Sequence, residues 1–188
     1  MQSFGALLGF GFLLSEVGLA YRRNAARAAS SRKMDGNSLR VLWIVIAGAI
    51  TVGVWLAGQG VGPRLSAGVP WGWIGLTVFA AGTVLRWWAI YYLGKFFTVD
   101  VAVAVDHRVV NTGPYRWVRH PSYTGLLLQF AGLSLSLGNT LSVAVINLPI
   151  LLALCYRIQV EEAALRNGLG EEYVAYMRGT KRLVPWVL

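Results

Sequence analysis

Residues able to do chemistry gather in two stretches of the 188-residue chain. In Arg119-His120-Pro121-Ser122-Tyr123, the proline pushes His120 out of helical geometry and is itself suited to the first position of a helix. The His120 imidazole and the Tyr123 hydroxyl are thereby presented at a helix N-terminus, whose free N–H groups suit an anion such as a carboxylate. Farther on, Arg157 and Glu161 stand four apart on one helix face and can pair, in the weaker basic-before-acidic order. A reaction that removes a proton would have His120, His107 or Glu162 as its candidate base. A reaction on an already ionised carboxylate needs no base, only a cation to orient and partly neutralise it.

These residues belong to an unusual chain. Hydrophobic residues make up 56% and charged residues only 13%, about half the charged share of soluble domains. A soluble domain of this length would need more polar surface, whereas lipid supplies that cover for a membrane domain. A hydrocarbon core of roughly 30 Å takes about 20 helical residues. Five apolar runs approach that length, at 4–21, 41–58, 71–93, 123–137 and 141–158. The fourth is the shortest and meets the fifth across Gly138-Asn139-Thr140, which implies a tight helical hairpin that tilts or falls short of the far interface. Pro149 does not veto the fifth, because neighbouring helices can satisfy the backbone groups it frees. The N-terminal run lacks a preceding basic segment and a small-residue cleavage site, so it reads as a retained helix.

The fold expected is therefore an all-α integral membrane protein of about five transmembrane helices. It forms a single membrane domain over 1–188, with two helices in 1–69 and the chemical core in 70–188. The one cysteine, Cys155, excludes an internal disulfide and any multi-cysteine metal site.

The net charge of +9 is explained by position. With five spans, every Lys and Arg except Arg64 and Arg86 falls on one side, which the positive-inside tendency makes cytoplasmic. The basic excess then marks orientation and an attraction to anionic membrane lipids. It does not mark a nucleic-acid partner, since no basic helix with interleaved stacking aromatics lies outside the spans.

Two ionisable residues, Glu16 and Arg86, lie inside spans, where such groups are costly. Arg86, beside Trp87 and Trp88, either snorkels to the interface or lines a cavity; Glu16 is expected to pair with Arg22 or Arg23. Between spans three and four, residues 98–105 alternate valine with small or polar residues as a short strand does, with a return near Arg108-Val109-Val110. Plainer readings stand beside the chemical ones. His120 and His107 also suit interfacial loops, and Tyr115, Trp117 and Tyr123 an aromatic belt. Glu171-Glu172 suits the solvated start of an amphipathic surface helix.

Taken in order, His107-Arg108-Val109-Val110, Gly113-Pro114-Tyr115, Arg119-His120-Pro121-Ser122-Tyr123-x-Gly125, Arg157-x-x-x-Glu161-Glu162 and Gly170-Glu171-Glu172-Tyr173-x-x-Tyr176 resemble the isoprenylcysteine carboxyl methyltransferase family of integral-membrane enzymes. The resemblance covers roughly residues 70–188. It implies an enzyme that moves a methyl group from S-adenosylmethionine to a lipophilic small molecule or lipid-modified acceptor, either a carboxylate or a lipid-like phenol. The cofactor pocket is implied on the cytoplasmic side, between the loop before helix four and the C-terminal helix. Cofactor-binding positions carried over from the family are His107, Arg108, Val109, Val110, Tyr115, His120, Pro121, Ser122, Tyr123 and Glu161. Arg157 takes the position associated with the acceptor. Val109 departs from a commoner leucine, and Asp100 stands where some members place a glutamine near the cofactor.

The residue types suit that cofactor, which brings a carboxylate, an ammonium and a sulfonium. Two other enzymes remain open at this point, a phospholipid N-methyltransferase and a nicotinamide-dependent sterol-type reductase. Against the reductase, Glu161-Glu162 stands where such enzymes tend to carry paired aspartates. A non-enzymatic membrane scaffold is the remaining alternative.

Overall fold

The computed structural model describes residues 8–12, 15, 16, 18, 37–94 and 109–184. Its elements in chain order are α1 (Ser38–Gln59), α2 (Trp71–Leu93), a 3-10 turn (Gly113–Arg116), α3 (Pro121–Ser136), α4 (Thr140–Leu169) and α5 (Glu171–Gly179). Residues 8–12, 15, 16 and 18 are also helical. Among the described residues there is no strand, only two isolated bridges, Arg64 with Asn139 and Val118 with Lys181. The strand expected at 98–105, and with it His107 and Arg108, lies outside the described residues.

α1, α2 and α4 are long and apolar enough to cross a membrane. α2 has the bounds expected from sequence. α3, at 16 residues, is about 24 Å long at 1.5 Å per residue and so falls short of the hydrocarbon core. α4, at 30 residues, is about 45 Å long and runs well past the bilayer. The α3–α4 hairpin turns through Gly138, whose φ of 66° is a left-handed conformation. Asn139 then caps α4 by accepting from Ser142 N at 2.9 Å, while its Nδ2 donates to Val61 O at 2.9 Å. That second bond clips the α1–α2 connection to the hairpin, as do Leu65 N to Gly138 O and Thr140 N to Pro63 O.

α2 and α3 form the most extensive helix pair, and glycines make it possible. Gly75 faces Gly132 and Gly82 faces Gly125, in an antiparallel register with two helical turns between contacts. A Cβ on Gly82 would sit 2.6 Å from Gly125 O and 2.7 Å from Gln129 N; on Gly75 it would meet Gly132 O at 2.5 Å. Helices in lipid associate through such close backbone approach because hydrocarbon offers no hydrophobic drive between them. α1 packs against α4 in the same manner: Gly53 lies under Ile146, and Ser142 Oγ donates to Gly53 O at 2.7 Å. Phe12 joins the two pairs, with ring centroids 5.1 Å from Phe130 and 6.5 Å from Trp43.

Arg86 does not snorkel. Its side chain is 9% exposed, Nη2 lies 3.0 Å from Glu16 Oε1, and Nη1 donates to Ser122 O at 3.3 Å. Glu16 therefore pairs across helices with Arg86; Arg22 and Arg23, the partners expected for it, lie outside the described residues. Inside low-dielectric surroundings a charge is retained where a nearby opposite charge compensates its lost hydration. Trp87 Nε1 to Ser15 Oγ, 2.8 Å, adds a second bond between the N-terminal helical residues and α2.

The chain's alternating passes carry the start of α1, the end of α2, the start of α3 and the end of α4 to one end of the bundle. Gly82→Ala should lower the stability of the detergent-purified protein by about 1–3 kcal/mol, the usual cost of overpacking. Gly48→Ala, where a Cβ meets nothing within 4 Å, should be near neutral. Thermal unfolding of the two variants checks the packing; equal melting temperatures would refute it.

Candidate functional site

The loop before α3 is set by its contacts with α2. Gly113 has φ 57°, and its Cα lies so close to Tyr92 that a Cβ would come 2.6 Å from the ring. Tyr92 hydroxyl also donates to Thr112 Oγ1 at 2.9 Å. The 3-10 turn that follows buries Tyr115, whose hydroxyl donates to Ala89 O near the end of α2 at 3.2 Å. His120 is the N-cap residue of α3 and Pro121 its first residue, as the Arg-His-Pro sequence implies.

From that helix start, Tyr123 reaches α4. Its hydroxyl donates to Glu161 Oε2 at 2.8 Å and accepts from Arg157 Nε at 3.4 Å. Arg157, at 1% exposure the largest fully buried side chain, also donates from Nη1 to Ser38 Oγ at 2.7 Å. Arg157 and Glu161, expected on one face, are thus linked through the Tyr123 phenol, in a chain from α1 through α4 and α3 back to α4.

Glu162 faces the other way. Its carboxylate is 1% exposed and accepts from Arg119 Nε at 2.8 Å and Arg182 Nε at 3.1 Å. His120 Nε2 lies 3.4 Å from Glu162 Oε1 without forming a hydrogen bond. The C-terminal segment is tied down around it: Arg119 N donates to Lys181 O, His120 N to Arg182 O, and Thr124 Oγ1 to Leu183 O at 2.7 Å. Arg119 Nη1 further reaches the carbonyls of Met177 and Thr180 at the end of α5.

α5 adds tyrosines to the same end. Tyr176 hydroxyl donates to Tyr115 O at 2.5 Å, and burial pushes its phenol up to about 12. Burial, and secondarily the Glu161 carboxylate, push the Tyr115 phenol above its ordinary value. Tyr115 and Tyr176 therefore remain neutral donors through the physiological range. Glu171 and Glu172 are exposed in the first turn of α5, the solvated helix start expected of them.

Of the residues singled out from sequence, Tyr115, His120, Pro121, Ser122, Tyr123, Arg157 and Glu161 meet at this end of the bundle. Ser122 offers its carbonyl to Arg86, and the His120 ring stacks on Tyr123 with centroids 5.6 Å apart. Val109 and Val110 are half-buried just before the turn. Sequence reasoning missed the partners of Glu162, namely Arg119 and Arg182, and it missed Ser38. The available signal for Glu162 was helical: adjacent residues point about 100° apart, so Glu161 and Glu162 cannot share one partner set.

The model of the isoprenylcysteine carboxyl methyltransferase family matches residues 73–167, half of the chain. Protein-S-isoprenylcysteine O-methyltransferase B of Arabidopsis thaliana is 33% identical over 115 residues, 60% of this chain and 58% of that protein. The protein-S-isoprenylcysteine O-methyltransferase of Tribolium castaneum is 34% identical over 116 residues, 61% of this chain and 41% of that protein. The chain thus spans less than two thirds of the length of these relatives. A solved structure of the eukaryotic intramembrane Ras methyltransferase, itself an isoprenylcysteine carboxyl methyltransferase, superposes with a TM-score of 0.57 at 28% identity, over 80% of this chain and 50% of that one. The segment matched in sequence runs from α2 through most of α4 and contains the Tyr115, His120–Tyr123, Arg157 and Glu161 cluster. This chain belongs to the isoprenylcysteine carboxyl methyltransferase family.

Proposed function

We propose that the chain is a membrane methyltransferase that uses S-adenosylmethionine to methylate the carboxylate of a lipophilic acceptor, with its site on the cytoplasmic side. The observation that carries this reading is the hydrogen-bonded chain Glu161–Tyr123–Arg157 at the basic end of the bundle. It places a carboxylate and a buried guanidinium on either side of one phenol.

The residues fit the cofactor. Glu161 is half-buried and has one oxygen engaged by Tyr123, which leaves the other for an ammonium group. His120 Nε2 is a buried nitrogen without a hydrogen bond, and as a donor it suits a carboxylate at the start of α3. Tyr115 and Tyr123 supply aromatic faces suited to a sulfonium. The remaining positions of this cofactor set are His107, Arg108, Val109, Val110, Pro121 and Ser122.

When bound, S-adenosylmethionine would supply an electrophilic methyl on its sulfonium for the acceptor oxygen, with the sulfur left as a neutral thioether. Arg157 orients the acceptor carboxylate and partly neutralises it. No residue has to remove a proton, because the acceptor is ionised at neutral pH. The contribution of the chain is then chiefly positioning, a large part of the barrier in a two-reactant displacement. The names of the relatives, protein-S-isoprenylcysteine O-methyltransferases, support a prenylated cysteine as the acceptor and favour a carboxylate over a phenol or amine.

Detergent-purified protein should bind S-adenosylhomocysteine saturably, by calorimetry or thermal shift, and NADPH not at all. Binding of NADPH alone would exclude a methyltransferase and point to a reductase. Glu161→Ala and His120→Ala should each weaken the homocysteine nucleoside by at least about tenfold, as expected for losing a charge-assisted contact, while the exposed Glu171→Ala stays near wild type. Equal affinities across the three variants would remove the site assignment. For orientation, Arg64→Cys in intact cells should react with a membrane-impermeant maleimide added outside; protection from it would reverse the topology.

A further inference from the structure

One of the contacts that hold Arg157 comes from outside the family-matched segment. Ser38 is the first residue of α1, whereas the match begins at residue 73. A serine at a helix start ordinarily serves the backbone N–H groups of its own first turn. Ser38 Oγ here accepts a 2.7 Å hydrogen bond from Arg157 Nη1, 119 residues away, and both side chains are 1% exposed. Tyr123 binds Nε of the same guanidinium at the longer distance of 3.4 Å.

A guanidinium is a planar fork, and it recognises a carboxylate bidentately only when its plane faces the incoming oxygens. The shorter contact at Nη1 fixes a second corner of that plane, beside the Nε contact to Tyr123. Ser38 is suited to this task because a hydroxyl orients the guanidinium without cancelling its charge, as a carboxylate at the same place would. The side chain is also anchored where α1 meets α4, a contact secured at its other end by the Gly53–Ile146 and Ser142–Gly53 packing.

We propose that Ser38 is a positioning residue for acceptor binding: it sets the plane of the Arg157 guanidinium so that the acceptor carboxylate is bound bidentately. The proposal rests on the reading of Arg157 as the partner of that carboxylate. It makes α1 part of acceptor recognition, while the cofactor contacts lie on the loop before α3, on α3 and on α4.

The test uses the full chain in detergent, radiolabelled S-adenosylmethionine and N-acetyl-S-farnesylcysteine as the acceptor probe. Ser38→Ala should raise the KM for the farnesylcysteine by about tenfold, the usual consequence of losing one hydrogen bond to a charged group. Its kcat and its affinity for S-adenosylhomocysteine should stay within about twofold of wild type. Ser38→Thr, which keeps the hydroxyl, should restore KM to within about threefold. Ser38→Cys, similar in volume but a weak acceptor, should reproduce the rise seen with alanine and serves where alanine does not yield folded protein. An unchanged KM in the folded alanine or cysteine variant, with wild-type turnover intact, overturns this inference alone. A parallel loss of kcat and cofactor affinity overturns it as well, since that marks a structural serine. Wild-type protein that binds the homocysteine nucleoside but does not methylate the farnesylcysteine overturns both this inference and the carboxylate-acceptor reading.

Discussion

A carboxylate buried to 1% exposure at the end of a membrane helix must be compensated, and the compensation of Glu162 organises the site end of this protein. Arg119 comes from the loop before α3 and Arg182 from the segment after α5. Removing a partner from a buried ionic cluster typically costs about 3–5 kcal/mol, because it strands a charge. The three groups therefore cannot drift apart independently. Since Arg119 also holds the end of α5, the cluster fixes the path of the chain on both sides of the site. Glu161, one residue earlier, is left to face Tyr123. Adjacent glutamates thus divide the work: the buried one holds the frame, and the half-buried one faces the proposed ligand.

The bilayer imposes the second constraint. α3 is too short to cross on its own, yet it carries His120 and Tyr123 at its start. Close glycine contacts with α2 hold it at a fixed depth, and the clip between the α1–α2 connection and the α3–α4 turn anchors its far end. Arg86 reinforces the near end by binding Ser122 O while paired with Glu16. A short helix secured at both ends gives its first turn a defined position relative to α4. That is the requirement for a phenol to bridge Glu161 and Arg157.

That bridge also joins the two halves of the proposed reaction. Tyr123 touches the carboxylate assigned to the cofactor and the guanidinium assigned to the acceptor. A shift of α3 along α2 would alter both together. Rigid helices suit such a site better than loops, because a displacement of about an ångström can cost two orders of magnitude in rate.

Much of this was legible in the residues alone. The apolar runs mark the helices because a hydrocarbon solvent demands continuous apolar length, and α2 begins and ends where its run does. Gly138-Asn139-Thr140 marks the hairpin because only a few residue types suit a left-handed turn followed by a helix cap. Pro121 places His120 at a helix start by covalent geometry. These are local properties, carried by neighbours in the chain. The pairing of Glu16 with Arg86, the burial of Glu162 among Arg119 and Arg182, and the reach of Ser38 to Arg157 are of another kind. Each joins residues from separate parts of the chain, and the choice between Glu161 and Glu162 turns on which face of α4 the rest of the bundle covers. Helical periodicity states that the two glutamates diverge; only packing decides which one is buried.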